Sequence, residues 1–464
     1  MPEFAGLRTD LTTWIILAVT TLCWLASLRL VPNFKRQGWP ALLQSVYGLV
    51  WLDFGLDIVL RFCMLSYNAV EWGNATPRLV ALSTDIVNTT LIYSGAFWVL
   101  VTGAYALAVR RRGAGPLSVT ASISPEFAYS AALPVALMAS VGFYLADTGR
   151  TPLVLLTPLA LMSGLYMVPA VIIWWDHFRR PGPLWRIGSL HVIVLLPALV
   201  RGIVSPYREN LAPIVLIPLA AAVFAGRRPR LTRLLPLGLV GLLVLSFVVQ
   251  SYRQIKWENV RPEELSSQMQ HDGLTGWISV ASGEPVHRFH AFDSFLLTVA
   301  LVPALEPHSG RNVLTSALVR GVLPRAVYGN KGNATEGIDF GSRIWAYDNP
   351  VMREGGGASI APSMPGDLYD AGGRLYLVLG ALLWGTLLGW VDGWKAHLPV
   401  FASAAITVLV MTQCAMSVER DFDYSVSTFI QTLLVFVVVA WATSLVRQEE
   451  PQYSRRLRPS LERS

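Results

Sequence analysis

Charge is scarce in this chain: only 14% of its 464 residues are Asp, Glu, Lys or Arg, against 53% hydrophobic residues and a mean hydropathy of +0.47. A water-soluble surface needs about a quarter of the residues charged, so a soluble globular class is excluded. Cysteine is scarce as well. Cys23, Cys63 and Cys414 lie in or at the edge of apolar runs, which excludes a disulfide framework and any cysteine-based metal spacing. Among the histidines, His271, His287, His290 and His308 form no HExxH pattern, and His287-Arg288-Phe289-His290 is too loose for zinc. There is no P-loop, no GxGxxG after a strand and no DxD-type nucleotide-sugar signature. No internal repeat or low-complexity tract occurs. A cleavable signal peptide is not expected, because the first apolar run is long and lacks a basic leader and a small-residue cleavage site. The N-x-T sequons at Asn74, Asn88 and Asn333 read as chance matches, since two lie beside or inside apolar runs.

Long apolar runs are what the chain has in abundance. A hydrocarbon core of about 30 Å needs about 20 apolar residues in a helix. Such runs stand at about 11–32, 40–62, 79–109, 126–147, 151–175, 184–204, 210–226, 233–251, 374–393, 398–416 and 424–446. The expectation is an all-α polytopic membrane protein with about 11 transmembrane helices. The 16 tryptophans, many near the ends of these runs, suit the membrane interface.

Lysine and arginine orient the bundle. Lys35 and Arg36, Arg110 to Arg112, Arg179 and Arg180, then Arg227, Arg228, Arg230 and Arg233 fall on one side, joined by Lys395 and the Arg-rich tail. That side is cytoplasmic by the positive-inside rule. With an odd number of spans the C-terminus is cytoplasmic and the N-terminus outside. This asymmetry also accounts for much of the net charge of +7, which therefore reports topology rather than nucleic-acid binding. Four regions follow: an N-terminal bundle of about eight helices (1–251), a large external loop (252–373), C-terminal helices (374–446) and a cytoplasmic tail (447–464). A loop so long is functional more often than not. Inside it, Ala291 to Leu305 is too short and interrupted to span and reads as a re-entrant or interfacial helix, and Arg311 to Arg325 reads as an amphipathic helix ended near Pro324.

Ionisable residues within or beside apolar runs are costly and point to function. Asp53, Asp57 and Arg61 stand at i, i+4 and i+8 on one helix face, with Asp85 a further member of the group. Two readings stand: an Asp57–Arg61 pair that locks packing, or a proton relay. Arg201 ends the sixth run and Arg208 opens the seventh. Paired guanidiniums beside a helix N-terminus suit a phosphate, and the bland reading is interfacial snorkelling. Arg253 follows the eighth run, and a further basic set runs from Arg320 through Leu323-Pro324-Arg325 to Lys331, at and beyond the end of the amphipathic segment. The stretch from Ser359 to Gly373 is rich in small residues that let a ligand approach the backbone. Its Asp367 is either a base for an attacking hydroxyl or a helix N-terminal residue held by the dipole. Asp293, Glu354, Glu419 and Asp421 are weaker candidates for a base.

Taken in order, Arg208 opening a span, Tyr252-Arg253 closing one, Leu323-Pro324-Arg325 with Lys331, and Pro362-Ser363-x-x-Gly366-Asp367-x-Tyr369 leading to Gly372 resemble the oligosaccharide repeat-unit polymerase (O-antigen polymerase, Wzy-type) family. The resemblance covers about Arg201 to Trp390. The family commonly carries Glu where this chain has Asp367 and an aromatic where it has Ala371. The resemblance implies a glycosyltransferase of the bacterial inner membrane that needs no metal or other cofactor. It would join repeat units carried on undecaprenyl diphosphate, with a lipid-linked glycan donor and acceptor as partners beside membrane lipids and a chain-length regulator protein. Arg201, Arg208, Arg253, Arg325, Lys331 and Tyr369 would contact diphosphate or glycan, and Asp367 would be the base. An O-antigen ligase, another polyprenyl-phosphate-sugar transferase and a flippase are the alternatives. A single large loop in place of two matched halves speaks against transport.

Overall fold

The structure, a computed structural model, describes residues 7–66, 82–110, 133–147, 162, 164–180, 188–204, 208–227, 251, 267, 291–323, 340–345, 362–398 and 400–448. Every regular element among them is helical. Among the described residues, three helices are long and apolar enough to cross a membrane: Leu11–Leu30, Thr84–Arg110 and Met364–Lys395. Their outer faces are apolar. Leu11, Ile15, Val19 and Leu22 form an exposed stripe along the first, and Leu375, Val378, Leu379 and Leu382 form another along the third. Buried polar residues such as Thr13, Thr20, Ser94 and Asp392 sit on the inside. An apolar exterior around a partly polar interior is the arrangement expected where the solvent is lipid.

The second apolar run departs from a plain span. It is built from a 3₁₀ segment (Trp39–Gln44), an α-helix (Val46–Phe54), a π-helical turn (Gly55–Leu60) and a short α-helix (Arg61–Ser66). Gly55 explains part of this. A Cβ there would stand 2.2 Å from Trp24 Cζ2, so the first helix presses directly on the backbone. Trp24 and Trp51 stack with ring centroids 4.1 Å apart, and each indole N–H donates to the other's carbonyl, at 2.9 and 2.8 Å. Runs at 184–204 and 398–416 are likewise divided, into Ser189–Ile193 with Leu196–Val204 and Val400–Leu409 with Met411–Ala415. The run at 233–251 lies outside the described residues, apart from Ser251.

Thr84–Arg110 and Met364–Lys395 pack through small residues. A Cβ on Gly385 would stand 2.2 Å from the Val101 carbonyl oxygen, and one on Gly389 would stand 2.7 Å from that of Tyr105. Close backbone approach of this kind holds helices together where burial from water is no driving force. Gly385→Leu is expected to lower stability by about 1–3 kcal/mol or more, because backbone cannot rotate out of the way. Gly103→Ala, which meets nothing within 4 Å, is expected to be neutral or slightly stabilising. Thermal unfolding of the purified protein in detergent checks both.

Within the long segment between apolar runs, the helix Ala291–Leu301 is buried from Ala291 to Thr298. It packs against Met364–Lys395 and Thr84–Arg110. The amphipathic segment forms Val313–Val322, capped at its start by Asn312, whose Oδ1 accepts from Thr315 N–H at 3.3 Å. It lies against Phe422–Gln448, where Gly321 leaves room for Ile430 and Gln431 donates to the Arg320 carbonyl at 2.6 Å.

Candidate functional site

The small-residue segment before the ninth run has a local structural logic. Ser363 adopts φ 67° and caps the helix that follows, its Oγ accepting from Gly366 N–H at 3.2 Å. A Cβ on Gly366 would stand 2.8 Å from that same Oγ, so the glycine makes the cap possible. The helix then runs only to Ala371. Gly372 (φ −164°, ψ 27°) and Gly373 (φ 66°, ψ −148°) break it before it resumes towards Lys395. Gly373 is in a region that disfavours any side chain, and His308 occupies the space where its Cβ would point, 3.2 Å away.

Breaking a helix leaves carbonyls without partners. Here a neighbouring loop supplies them. His308 Nδ1 faces the Tyr369 carbonyl at 3.0 Å, and Ser309 N–H donates to the Asp370 carbonyl at 2.9 Å. A carbonyl only accepts, so Nδ1 carries the proton in this arrangement.

Arginines surround the same half-helix. Arg311 donates to Asp367 Oδ1 and lies 3.8 Å from Asp370 Oδ2, while Arg343 donates to Asp370 Oδ1 and, at 3.0 Å, to the Pro307 carbonyl. Past the break, Arg374 Nε donates to Tyr93 Oη at 2.5 Å, and its guanidinium lies 5.4 Å from the Tyr93 ring. The Tyr93 ring in turn neighbours Tyr369 at 5.5 Å. Arg374 is exposed at the start of a helical segment, the end at which the dipole disfavours a cation.

Asp367 is buried at 0% exposure. Its Oδ2 accepts from Phe422 N–H at 3.0 Å while its Oδ1 holds Arg311. The carboxylate thus ties two helices and a loop arginine together, in the first turn of its helix. No family model, curated protein or solved structure matches this chain. The site must therefore be read from its own residues.

Of the residues singled out in the sequence, Asp367 and Tyr369 fall in this cluster. Arg201 lies in Leu196–Val204 and Arg208 is the first residue of Arg208–Phe224, both described for backbone only. Arg253, Arg325 and Lys331 lie outside the described residues. Arg311, Arg343 and Arg374 were not singled out. Arg311 and Arg343 stand in polar stretches where an arginine looks solvated, and only the fold brings them to this half-helix, whereas Arg374 follows it directly in the chain.

The group of Asp53, Asp57 and Arg61 also engages distant partners. Beyond Asp57, its neighbour one turn away, Arg61 reaches a residue far along the chain. It makes a two-pronged bond to Asp293, Nε to Oδ1 at 3.0 Å and Nη2 to Oδ2 at 2.9 Å, with both side chains at 0% exposure. Asp53 Oδ2 accepts from Val418 N–H at 2.6 Å and Ser417 Oγ at 3.2 Å. Asp85 stays outside this group, exposed in the first turn of Thr84–Arg110.

Proposed function

We propose that this chain is an inner-membrane glycosyltransferase that polymerises oligosaccharide units carried on a polyprenyl diphosphate, with eleven spans, the 252–373 loop outside and the C-terminus cytoplasmic. The observation that carries the reading is the convergence of Arg311 and Arg343 on the broken helix bearing Asp367, Tyr369 and Asp370, with Arg374 just past its break. In the proposed reaction, a hydroxyl of one lipid-linked unit attacks the anomeric carbon of the growing chain. The bond to the diphosphate oxygen breaks, and the hydroxyl proton goes to a base. Negative charge grows on the departing diphosphate, and guanidinium forks already in place stabilise it without reorganisation. Asp367 serves first to position Arg311. To accept the proton it must open its bond to that arginine.

Purified full-length protein given a lipid-linked repeat unit is expected to produce a ladder of chain lengths on a gel, lost in Arg208→Ala and Arg253→Ala. Arg374→Gln removes an exposed guanidinium without leaving a buried charge unpaired. It is expected to lower kcat/KM by about 100-fold, the order seen when one transition-state donor is deleted, at an unchanged melting temperature. Transfer of one whole glycan to an unlike acceptor would favour a ligase. Movement of the lipid-linked unit between leaflets without new bonds would overturn the enzyme reading.

A further inference from the structure

We propose that the hollow between Arg311 and Arg320 is a binding site for a diphosphate group. This deepens the reading above and rests on it for the natural ligand, since a polyprenyl diphosphate is such an anion. The hollow measures about 380 Å³, within the range of small-ligand pockets. One face of Val313–Val322 makes its floor, with Asn312, Thr315, Ser316 and Arg320 at helical spacing. Arg311 closes one end, and Asp423, in the first turn of Phe422–Gln448, forms part of the wall.

Total charge does not single this place out. Arg311, Arg320 and Arg343 face Asp367, Asp370 and Asp423, three against three. The charges are segregated by depth. The three carboxylates are 0–3% exposed, while the guanidinium side chains of Arg311 and Arg320 are 32% and 21% exposed. Asp423 is turned to its own partners: its Oδ2 accepts from Arg320 Nη1 at 2.6 Å and from Ser316 Oγ at 2.8 Å. What an incoming ligand meets is therefore a donor surface of two guanidinium forks, the Asn312 amide and the Thr315 hydroxyl. Such a surface fits phosphate oxygens, which accept several bonds each.

Roughly 10 Å of helix axis separates the start of the helix from Arg320, at about 1.5 Å per residue. Linked phosphates carry enough acceptor oxygens to engage the guanidiniums at both ends of this lining. Arg311 also grips Asp367 and Asp370. An occupant of the hollow thus touches the residue that pins the broken helix, which links binding to the site described above.

The test is calorimetric titration of the purified full-length protein with inorganic diphosphate and, in a second arm, with farnesyl diphosphate. Saturable binding of either, with a Kd of about 1 mM or tighter, is expected. Tighter farnesyl diphosphate points to a lipid source and equal affinities to free diphosphate. Thr315→Phe fills the hollow from an exposed position and leaves every ion pair intact. It is expected to weaken binding at least tenfold at an unchanged melting temperature. The pair Arg320→Gln/Asp423→Asn removes one fork without orphaning a buried carboxylate and is expected to do the same. No saturable binding to the wild type, or wild-type affinity in both variants, overturns the proposal. Diphosphate binding without ladder formation would leave the seat standing and remove the polymerase. A ladder unaffected by Thr315→Phe would do the reverse.

Discussion

Arg61→Met is expected to lose about 3–5 kcal/mol of stability, enough to keep the protein from accumulating in monodisperse form. The substitution keeps an unbranched apolar stem but leaves the Asp293 carboxylate at 0% exposure without either of its two charge-assisted bonds. A carboxylate so placed cannot be rehydrated, so most of the cost is the stranded charge rather than the lost attraction. The control follows from that argument. Arg61→Met/Asp293→Leu removes both charges and is expected to return to within about 1 kcal/mol of the wild type, because an apolar pair of similar volume often replaces a buried ion pair without loss. Melting curves of the single and double variants in the same detergent decide it. If the double variant melts as low as the single one, the pair is not what Arg61 contributes. The prediction bears on the site as well. Asp293 sits on Ala291–Leu301, whose Phe295 ring lies 6.3 Å from the Tyr369 ring.

The second large effect is expected at Asp392. Its Oδ2 accepts from Ser45 Oγ at 2.5 Å, Tyr47 N–H at 3.3 Å and Tyr105 Oη at 3.1 Å. Its Oδ1 accepts from Val46 N–H at 3.1 Å and Lys395 Nζ at 3.1 Å. The side chain thus satisfies the opening N–H groups of Val46–Phe54 from a helix some 350 residues later. Asp392→Ala would remove the acceptor of these donors and the counter-charge of the Lys395 ammonium, itself 4% exposed, which would keep the Gln44 carbonyl at 2.9 Å. Breaking a buried pair and orphaning several donors at once is expected to cost about 3–5 kcal/mol. Asp392→Asn should cost less, because an amide oxygen still accepts from the backbone while Lys395 loses its counter-charge. An equal loss in the two variants would show that charge, rather than capping, dominates.

Some of this architecture was legible in advance. The Leu11–Leu30 helix follows from an uninterrupted apolar run, and Val313–Val322 follows from helical spacing that stops one residue short of Pro324. The Ala291–Leu301 helix was also visible as an apolar run too short to span. Other features were not. A π-helical turn at Gly55–Leu60 needs a neighbour, Trp24, pressing on the backbone. The break at Gly372 and Gly373 carried a signal, two adjacent glycines, but its consequence depends on His308 and Ser309 arriving to take the stranded carbonyls. Within the candidate site, Asp367 and Tyr369 were marked by their motif. The arginines that meet this half-helix were hidden, because a basic residue in a polar loop has the same local signature whether it is solvated or paired.

By itself the sequence determined the membrane class and the all-helical character, since these follow from composition and from periodicity along one segment, but not how individual runs are divided into helices. Tertiary structure decided the partners. Arg61 pairs with Asp293, 232 positions away, and Arg311 with Asp367. Periodicity reports which residues share a face of one helix, whereas the energy of a buried charge depends on whichever group the fold brings opposite it.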